Sequence, residues 1–339
     1  MELTSSPGKV NTKRFIRKYM MNNKFLLSIC IPTYNRPAEL DRLLLSIANQ
    51  DCNDVEIVIG DDGDFFATKQ VLEKYRNLNI VHFKNENGPG FDTNLLAVTK
   101  MAIGKYVWWM GDDDEMNAGA VVHVLNIIKN NSDVSFLWVN HYIFDQNIPA
   151  FLKKDDYFFQ NRDAILEEIA NLLGFISSII FKKESISNVN NENLRNFIGL
   201  KFINLYLVLH TLSGSGRFFY VNNTYVCVHP TPVGEASYDG FTIFAINFYD
   251  IVNNFKGKFN KKSIKKMLAK NFGHVWRGMF VGYVRGYDNP RKIFFTLFSR
   301  YWNYSEFWIA GFVFLFPRWL DVILYKIYKK FVRHSYGQQ

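Results

Sequence analysis

Residues 105–115 read KYVWWMGDDDE. An apolar, aromatic run stops abruptly at a glycine and three consecutive aspartates. Such a short run, rich in β-branched and aromatic residues and bounded by a polar turn, predicts a buried strand over 105–110. Three carboxylates in sequence repel one another unless a cation is present. The strand therefore ends in a place suited to positive charge. Taken alone, three aspartates also suit a solvated acidic loop or the first turn of a helix.

The same grammar repeats upstream. Residues 26–32 (LLSICIP) and 55–60 (VEIVIG) are continuous apolar runs, and 79–83 (NIVHF) is a third strand candidate. Between them, Leu40, Leu43, Leu44 and Ile47 recur at helical spacing after Pro37, and 67–75 and 92–103 read as further helices. NENGPG (85–90) is a loop by its Gly and Pro content. A helix over 117–130 and a strand over 134–139 follow the aspartates. Alternating strands and helices predict an α/β fold, with a mostly parallel sheet flanked by helices. Ligands bind such sheets outside the carboxyl ends of the strands. Three polar clusters stand at strand ends: Pro32-Thr33-Tyr34-Asn35-Arg36, Asp61-Asp62-Gly63 and Asp112-Asp113-Asp114. Their convergence on one sheet edge is the central expectation. Beyond 141 the pattern is looser, with helices over 162–173 and 197–212 and strands over 175–181 and 217–228.

Each cluster carries a chemistry. Oxygen ligands of the Asp112–Asp114 kind suit Mg²⁺ or Mn²⁺, which use one or two protein carboxylates and complete their shell with water and phosphate. An acid at a strand end, as at Asp61, accepts a hydrogen bond from a base N–H, although Asp-Gly is also a common turn pair. Tyr34 can flank a base and Arg36 can reach a phosphate, although this stretch also serves as a plain lead-in to a helix.

Taken together, these residues resemble the family 2 glycosyltransferases, which have the Rossmann-like GT-A fold. The family's opening strand, P-T-Y-N-R and L..L..SI..Q helix correspond to IPTYNR (31–36) and LLLSIANQ (43–50). Its V-E-I-V-V-x-D-D-G-S corresponds to VEIVIGDDGD (55–64). Its N-x-G, late Asn, A-x-G-x-Y and D-x-D region correspond to NENG (85–88), Asn94, AIGKY (102–106) and WWMGDDDE (108–115). The order and spacing match over about residues 25–130. The GDDDE variant is similar to the branch of O-antigen and capsule sugar transferases that includes abequosyltransferase-like proteins.

The resemblance implies a nucleoside-diphosphate-sugar donor, contacted by Pro32, Thr33, Tyr34, Arg36, Asp61, Asn94, Asp112 and Asp113. It implies a divalent metal, Mn²⁺ or Mg²⁺, on Asp113 and Asp114, with His229 as a third ligand. Gly111 falls where the usual D-x-D-D has its first acid. Inverting members of the family carry an acidic base opening a helix in the second half, where this chain has Asn204, which cannot take a proton from a hydroxyl. Glu192, Glu235 and Asp239 are the nearby acids. Glu235, in PTPVGEASYDG, is preferred as the base, with Asp239 next.

Charge divides the chain. Residues 251–339 hold 17 Lys and Arg against Asp288, Glu306 and Asp321, whereas residues 1–250 hold 23 basic and 28 acidic residues. Phe, Trp and Tyr crowd 291–333, but the apolar run 307–317 is far shorter than the ~20 residues a membrane span needs. The tail reads as a helical, basic, interfacial region meeting an anionic membrane surface. Three dispersed cysteines imply no disulfide framework and a reducing compartment. Residues 1–24, polar and basic with no long apolar run, read as a disordered lead-in rather than a signal peptide. The expected organisation is that lead-in, a GT-A domain over 25–250 and the tail over 251–339. The expected function is sugar transfer to a saccharide acceptor, lipid-linked, at the cytoplasmic face of a bacterial membrane in surface polysaccharide synthesis. A nucleotidyltransferase and a nucleic-acid-binding protein are the competing readings. The first would want an early Gly-rich phosphate loop. The second would want zinc ligands or a single-strand-binding pattern, so no nucleic-acid partner is expected.

Overall fold

A computed structural model of the chain describes residues 25–85, 90–229, 240, 242–285, 293–309, 320 and 323. Strands β1 (Leu27–Thr33), β2 (Val55–Asp61), β3 (Ile80–Lys84) and β4 (Tyr106–Trp109) alternate with helices α1 (Pro37–Ala48), α2 (Phe65–Leu72) and α3 (Phe91–Met101). They pair in parallel in the order β3-β2-β1-β4. The expected strands and helices of this half are borne out to within a few residues. The reason is packing on both faces. On one face, Leu40, Leu43, Leu44 and Ile47 of α1 are fully buried against Ile29, Ile31, Ile57 and Ile59. Each such side chain contributes about 1.5–3 kcal/mol. On the other face, Trp109 Nε1 donates to Thr99 Oγ1 of α3 at 2.8 Å, and Cys30 Sγ reaches Val98 O at 3.6 Å. Glu56 is buried on that same face. Its Oε1 accepts from Ser28 Oγ at 2.5 Å and from the backbone of Ile103 and Gly104. Burial holds the carboxyl above its usual range against those bonds.

The rest of the sheet comprises β5 (Glu115–Met116), β6 (Val134–Ile143), β7 (Tyr157–Phe158), β8 (Ile179–Lys182) and β9 (Arg217–Val228), with helix α4 (Ala120–Asn130) between β5 and β6. The order is β3-β2-β1-β4-β8-β6-β9-β5, with β7 on β9. β8 is antiparallel to both β4 and β6 and lies between them. β6 therefore keeps the direction of β4 without touching it, and β9 runs parallel to β6. Six strands share one direction, and β5, β7 and β8 oppose it. The mostly parallel sheet flanked by helices stands, but a reversed strand sits at its centre. Periodicity identifies strands and is silent about which neighbours they take.

Three expected elements differ in extent. Helix α5 (Arg162–Glu168) stops early and a 3₁₀ turn, Ala170–Gly174, follows, because Ala170 has φ +48°. The strand expected over 175–181 begins only at Ile179, after a turn over Ile176–Ser178. The helix expected over 197–212 begins only at Ile203, as α7 (Ile203–Ser213), and a separate short helix, α6 (Asn191–Arg195), ends before the expected range starts. The break is built by Asp92, whose buried carboxylate accepts from the N–H groups of Gly199, Lys201 and Ile203. Gly199 and Lys201 both take positive φ there.

The chain forms two compact units, Met1–Ile165 with Leu172–Ala236, and Leu166–Asn171 with Ser237–Gln339. The second contains helices α8 (Phe248–Asn254), α9 (Lys261–Arg285) and α10 (Phe294–Tyr301). Its aromatic residues form a core of its own. Tyr301 donates to Ala245 O at 2.8 Å and packs on Phe272, which also meets Phe307. Arg300 pairs with Asp250 at 2.7 Å, and Lys266 with Glu167 at 2.8 Å. Residues 242–254 thus pack with the basic tail, so the second unit begins before position 250.

Candidate active site

The three strand-end clusters meet. β1, β2 and β4 are parallel neighbours, so their carboxyl ends share one edge. Thr33, at the end of β1, stands opposite Asp61 in the β1–β2 register. Thr33 Oγ1 donates to Asp112 Oδ2 at 2.8 Å. The Arg36 guanidinium bridges Asp112 and Asp113, with Nη1 at 3.1 and 2.7 Å. Pro32 stands opposite Gly60 on the same ladder. Tyr34 is 61% exposed at the mouth of the edge. Gly63 permits the close approach of the first two clusters, since a Cβ there would lie 2.4 Å from the Asn35 backbone nitrogen. Asn35, with φ +53°, accepts at Oδ1 from Asp64 N at 2.8 Å.

Two expected donor contacts are placed underneath the surface. Asp61 is 0% exposed: Oδ1 accepts from Gly63 N at 2.7 Å and Oδ2 lies 3.4 Å from His82 Nε2. Burial by itself would raise this carboxyl. The bonds from His82, Thr68 and Gly63 outweigh it and hold the group below its usual range. Asn94 is also buried, and its amide donates to Gly60 O at 2.9 Å and Thr33 O at 3.4 Å. Both side chains brace the loop floor rather than face solvent. Asp62 holds the adjoining loop through Asn85 Nδ2 and Gly90 N.

The aspartate run is anchored by residues the motif reading missed. Ser177, just before β8, accepts from Gly111 N at 2.9 Å and donates to Asp114 Oδ2. Arg42 of α1 donates to Asp113 O at 2.5 Å. Its Nε lies 3.0 Å from Glu115 Oε1, paired by distance rather than along the N–H direction. His229 Nε2 meets the same Glu115 oxygen at 2.6 Å. The antiparallel β5–β9 ladder, with Glu115 opposite Cys227, brings that histidine to the acidic run. Arg42 shares its helix with the charged Glu39 and Asp41, so the sequence did not single it out for this contact. Nor did it single out Ser177.

Burial and the Asp113 charge push the Asp112 carboxyl up to about 6, against the pull of Arg36 and Thr33. Burial, with the charges of Asp113 and Asp112, pushes Asp114 up to about 8 although Ser177 and the His229 backbone oppose it. Such carboxyls are short of positive charge. The donor set fits a small divalent cation. A Cβ on Gly111 would lie 3.0 Å from Asp114 Oδ2 and 3.1 Å from Asp113 Oδ1, so the two oxygens converge on the space that glycine leaves open. Among the described residues no group of three His, Cys, Asp or Glu side chains is placed to hold a metal ion. An ion held by two carboxylates would take its remaining ligands from phosphate and water. The glycine at the place of the usual first acid thus has a steric reason. His229 faces Glu115 rather than this space. Glu235 and Asp239 lie outside the described residues. Asn204 is buried with its amide on Gly174 O at 2.7 Å.

Comparison with known proteins covers the same region. Residues 28–185 match the family described as Glycosyl transferase family 2. The chain is 27% identical over 216 residues to abequosyltransferase RfbV of Salmonella typhimurium, covering 56% of this chain and 62% of that one. It is 36% identical over 100 residues to the GalNAc(5)-diNAcBac-PP-undecaprenol beta-1,3-glucosyltransferase of Campylobacter jejuni, covering 28% and 32% respectively. The matched stretches therefore span less than two thirds of either relative. Among solved structures, S. aureus TarS 1-349 in complex with UDP-GlcNAc superposes with a TM-score of 0.59 at 18% identity, over 78% of this chain and 77% of that one. This likeness bears on the fold. Strand-end motifs, sheet order and family match coincide over one stretch of sequence, and on that ground residues 28–185 form a glycosyl transferase family 2 region with the GT-A fold.

Proposed function

We propose that this protein transfers a sugar from a nucleoside-diphosphate-sugar to a saccharide acceptor, lipid-linked, in the synthesis of a bacterial surface polysaccharide. The observation that carries the reading is the meeting of Thr33 and Arg36 with Asp112 and Asp113 at one sheet edge. The named activities of the Salmonella and Campylobacter relatives, and the UDP-GlcNAc complex of TarS, favour it over nucleotidyl transfer or nucleic-acid binding.

Tyr34 flanks the base, with the Asp61–His82–Gly63 floor shaping the pocket from below. Asp112, oriented by Thr33, accepts from the ribose. Arg36 turns its free donors to the diphosphate, a fork geometry suited to phosphate oxygens. A divalent cation, Mn²⁺ or Mg²⁺, held by Asp113 and Asp114, would neutralise charge developing on the departing diphosphate. Glu235 takes the proton of the acceptor hydroxyl, with Asp239 as the alternative. The second unit attaches the protein peripherally to an anionic membrane surface at its cytoplasmic side. Each Lys or Arg near such a surface contributes about 1 kcal/mol. Trp302 and Trp308, each more than half exposed, suit the interface. Among the described residues no helix is long and apolar enough to cross a membrane.

The test is a melting-temperature screen of UDP-, GDP-, dTDP- and CDP-sugars with Mn²⁺. One nucleotide class is expected to stabilise the protein, with the shift lost in chelator. No shift with any of the four, together with no release of nucleotide, overturns the reading.

A further inference from the structure

We propose that Phe144, lying flat against His229, is the platform on which a neutral pyranose ring of the acceptor rests. This rests on the sugar-transfer reading and assigns the acceptor side of the same site.

The platform is set by strand register. β9 carries Cys227 opposite Tyr142 of β6 on one side and opposite Glu115 of β5 on the other. One step further along, Phe144 N donates to Val228 O at 3.0 Å, which brings residue 144 beside residue 229. The Phe144 and His229 rings stack with centroids 4.5 Å apart and planes inclined by 27°. The imidazole is fixed in turn by its 2.6 Å contact to Glu115, which Arg42 also approaches, and Arg42 holds the Asp113 backbone. An unbroken chain of contacts thus runs from the aspartate run to Phe144.

Phe144 is nevertheless 54% exposed. Scattered exposed apolar residues need no explanation. This one has one ring face backed by His229, which itself meets Glu115 at the end of the acidic run. Its position across the sheet assigns it to the acceptor. Thr33, Tyr34 and Arg36 belong to β1 and the loop after it, whereas Phe144 follows β6, beyond β4 and β8 in the sheet order. The aspartate run leaves β4 and reaches β9 at Glu115, so it lies between the two sides.

The chemistry of the surface selects the ligand. The negative face of an aromatic ring attracts positively polarised edges. A pyranose presents one face of C–H bonds with hydroxyls around its rim, which matches an aromatic plane bordered by polar groups. Glu115, whose carboxylate meets the imidazole behind the ring, disfavours an anionic sugar at this place.

The test uses the full chain with the donor identified by the melting screen. Acceptor probes are the p-nitrophenyl glycosides of neutral hexopyranoses and of glucuronic acid. Transfer is expected to the neutral glycosides and not to the glucuronide. F144A is expected to raise the acceptor KM about tenfold, the size of one aromatic contact, with kcat changed less than about twofold. F144W is expected to restore the KM. I148A, an exposed apolar residue on the same turn, is the control. An unchanged acceptor KM in F144A overturns the proposal, as does a preference for the glucuronide or the absence of transfer to any probe by a wild type that hydrolyses the donor. A loss in F144A of the donor-induced rise in melting temperature would make Phe144 structural and overturns it too. A wild type that neither binds nor hydrolyses any donor overturns the sugar-transfer reading itself, and with it this inference.

Discussion

Arg36 Nη1 lies 2.7 Å from Asp113 Oδ2, joining the loop after the first strand to the acidic run 77 residues later. The guanidinium also reaches Asp112, so one side chain serves as the internal counter-ion of two carboxylates. Arg36 thereby holds the two carboxylates close together.

Removing the carboxylates one at a time checks the metal assignment. Asp113→Asn and Asp114→Asn are expected to lower transfer at least about a hundredfold, a size typical for losing a preorganised electrostatic stabiliser. Melting curves of Asp113→Asn are expected to stay close to wild type, because that side chain is partly exposed. Full activity of both variants in excess chelator rules out the metal role.

Arg36→Lys and Arg36→Ala are expected to separate charge from geometry. Lysine keeps the charge but lacks the planar fork. Transfer efficiency is expected to fall in the order wild type, lysine, alanine, with the donor KM carrying most of the change. Steady-state kinetics with varied donor provide the check; equal behaviour of lysine and arginine contradicts the fork.

Ser177 links Gly111 N to the Asp114 carboxyl, and all three are buried. Ser177→Ala leaves a backbone N–H and a carboxyl oxygen without that partner. The cost is about 1–3 kcal/mol for an unsatisfied buried group. Urea denaturation at neutral pH measures it, and a loss of less than about 0.5 kcal/mol excludes the link.

His141 is buried between Trp138 and Phe175, with Nδ1 2.8 Å from Ser178 Oγ. Burial pushes its pKa down to about 4. The unfolded chain then binds a proton near pH 6.5 that the folded chain refuses until about pH 4. Stability from this residue is full above about 6.5 and is lost as pH falls toward the folded value, by roughly 3 kcal/mol in total. His141→Gln, which keeps a polar group near Ser178, is expected to lose less stability than wild type between pH 7 and pH 4.5. Parallel pH dependences of the two proteins, measured in urea, refute the assignment.

Trp302 and Trp308 are exposed on a basic unit with an aromatic core. Replacing both with alanine is expected to weaken sedimentation with phosphatidylglycerol-containing vesicles severalfold. Deleting residues 291–339 is expected to abolish it. Binding by wild type is expected to fall with salt, because screening shortens the reach of Lys and Arg. Unaltered sedimentation of the deletion variant removes the membrane proposal.

Much of this was legible in the order of residues. Continuous apolar runs and helical spacing located β1 to β4 and their helices, because each element must bury one or both of its faces and composition records which. A run that stops at polar residues also marks a strand end, and parallel neighbours place such ends on one edge. That logic brings Thr33, Arg36, Asp61 and Asp112–Asp114 to one edge from the sequence alone.

Only the tertiary structure decided the rest, and the reason is separation along the chain. Periodicity reports a residue's face and never its distant partner. The reversed strand β8 took its place between β4 and β6 through backbone pairing that no local pattern encodes. With it came Ser177, held to Asp114 across 63 residues. Asp61 and Asn94 are drawn inward by hydrogen bonds to Gly63 and His82 and to Gly60. His229 is likewise drawn to Glu115, and Phe144 to His229, by the shared register of β5, β9 and β6. Sequence alone determined where the chemistry gathers. Strand order and long-range hydrogen bonds decided which atoms face it.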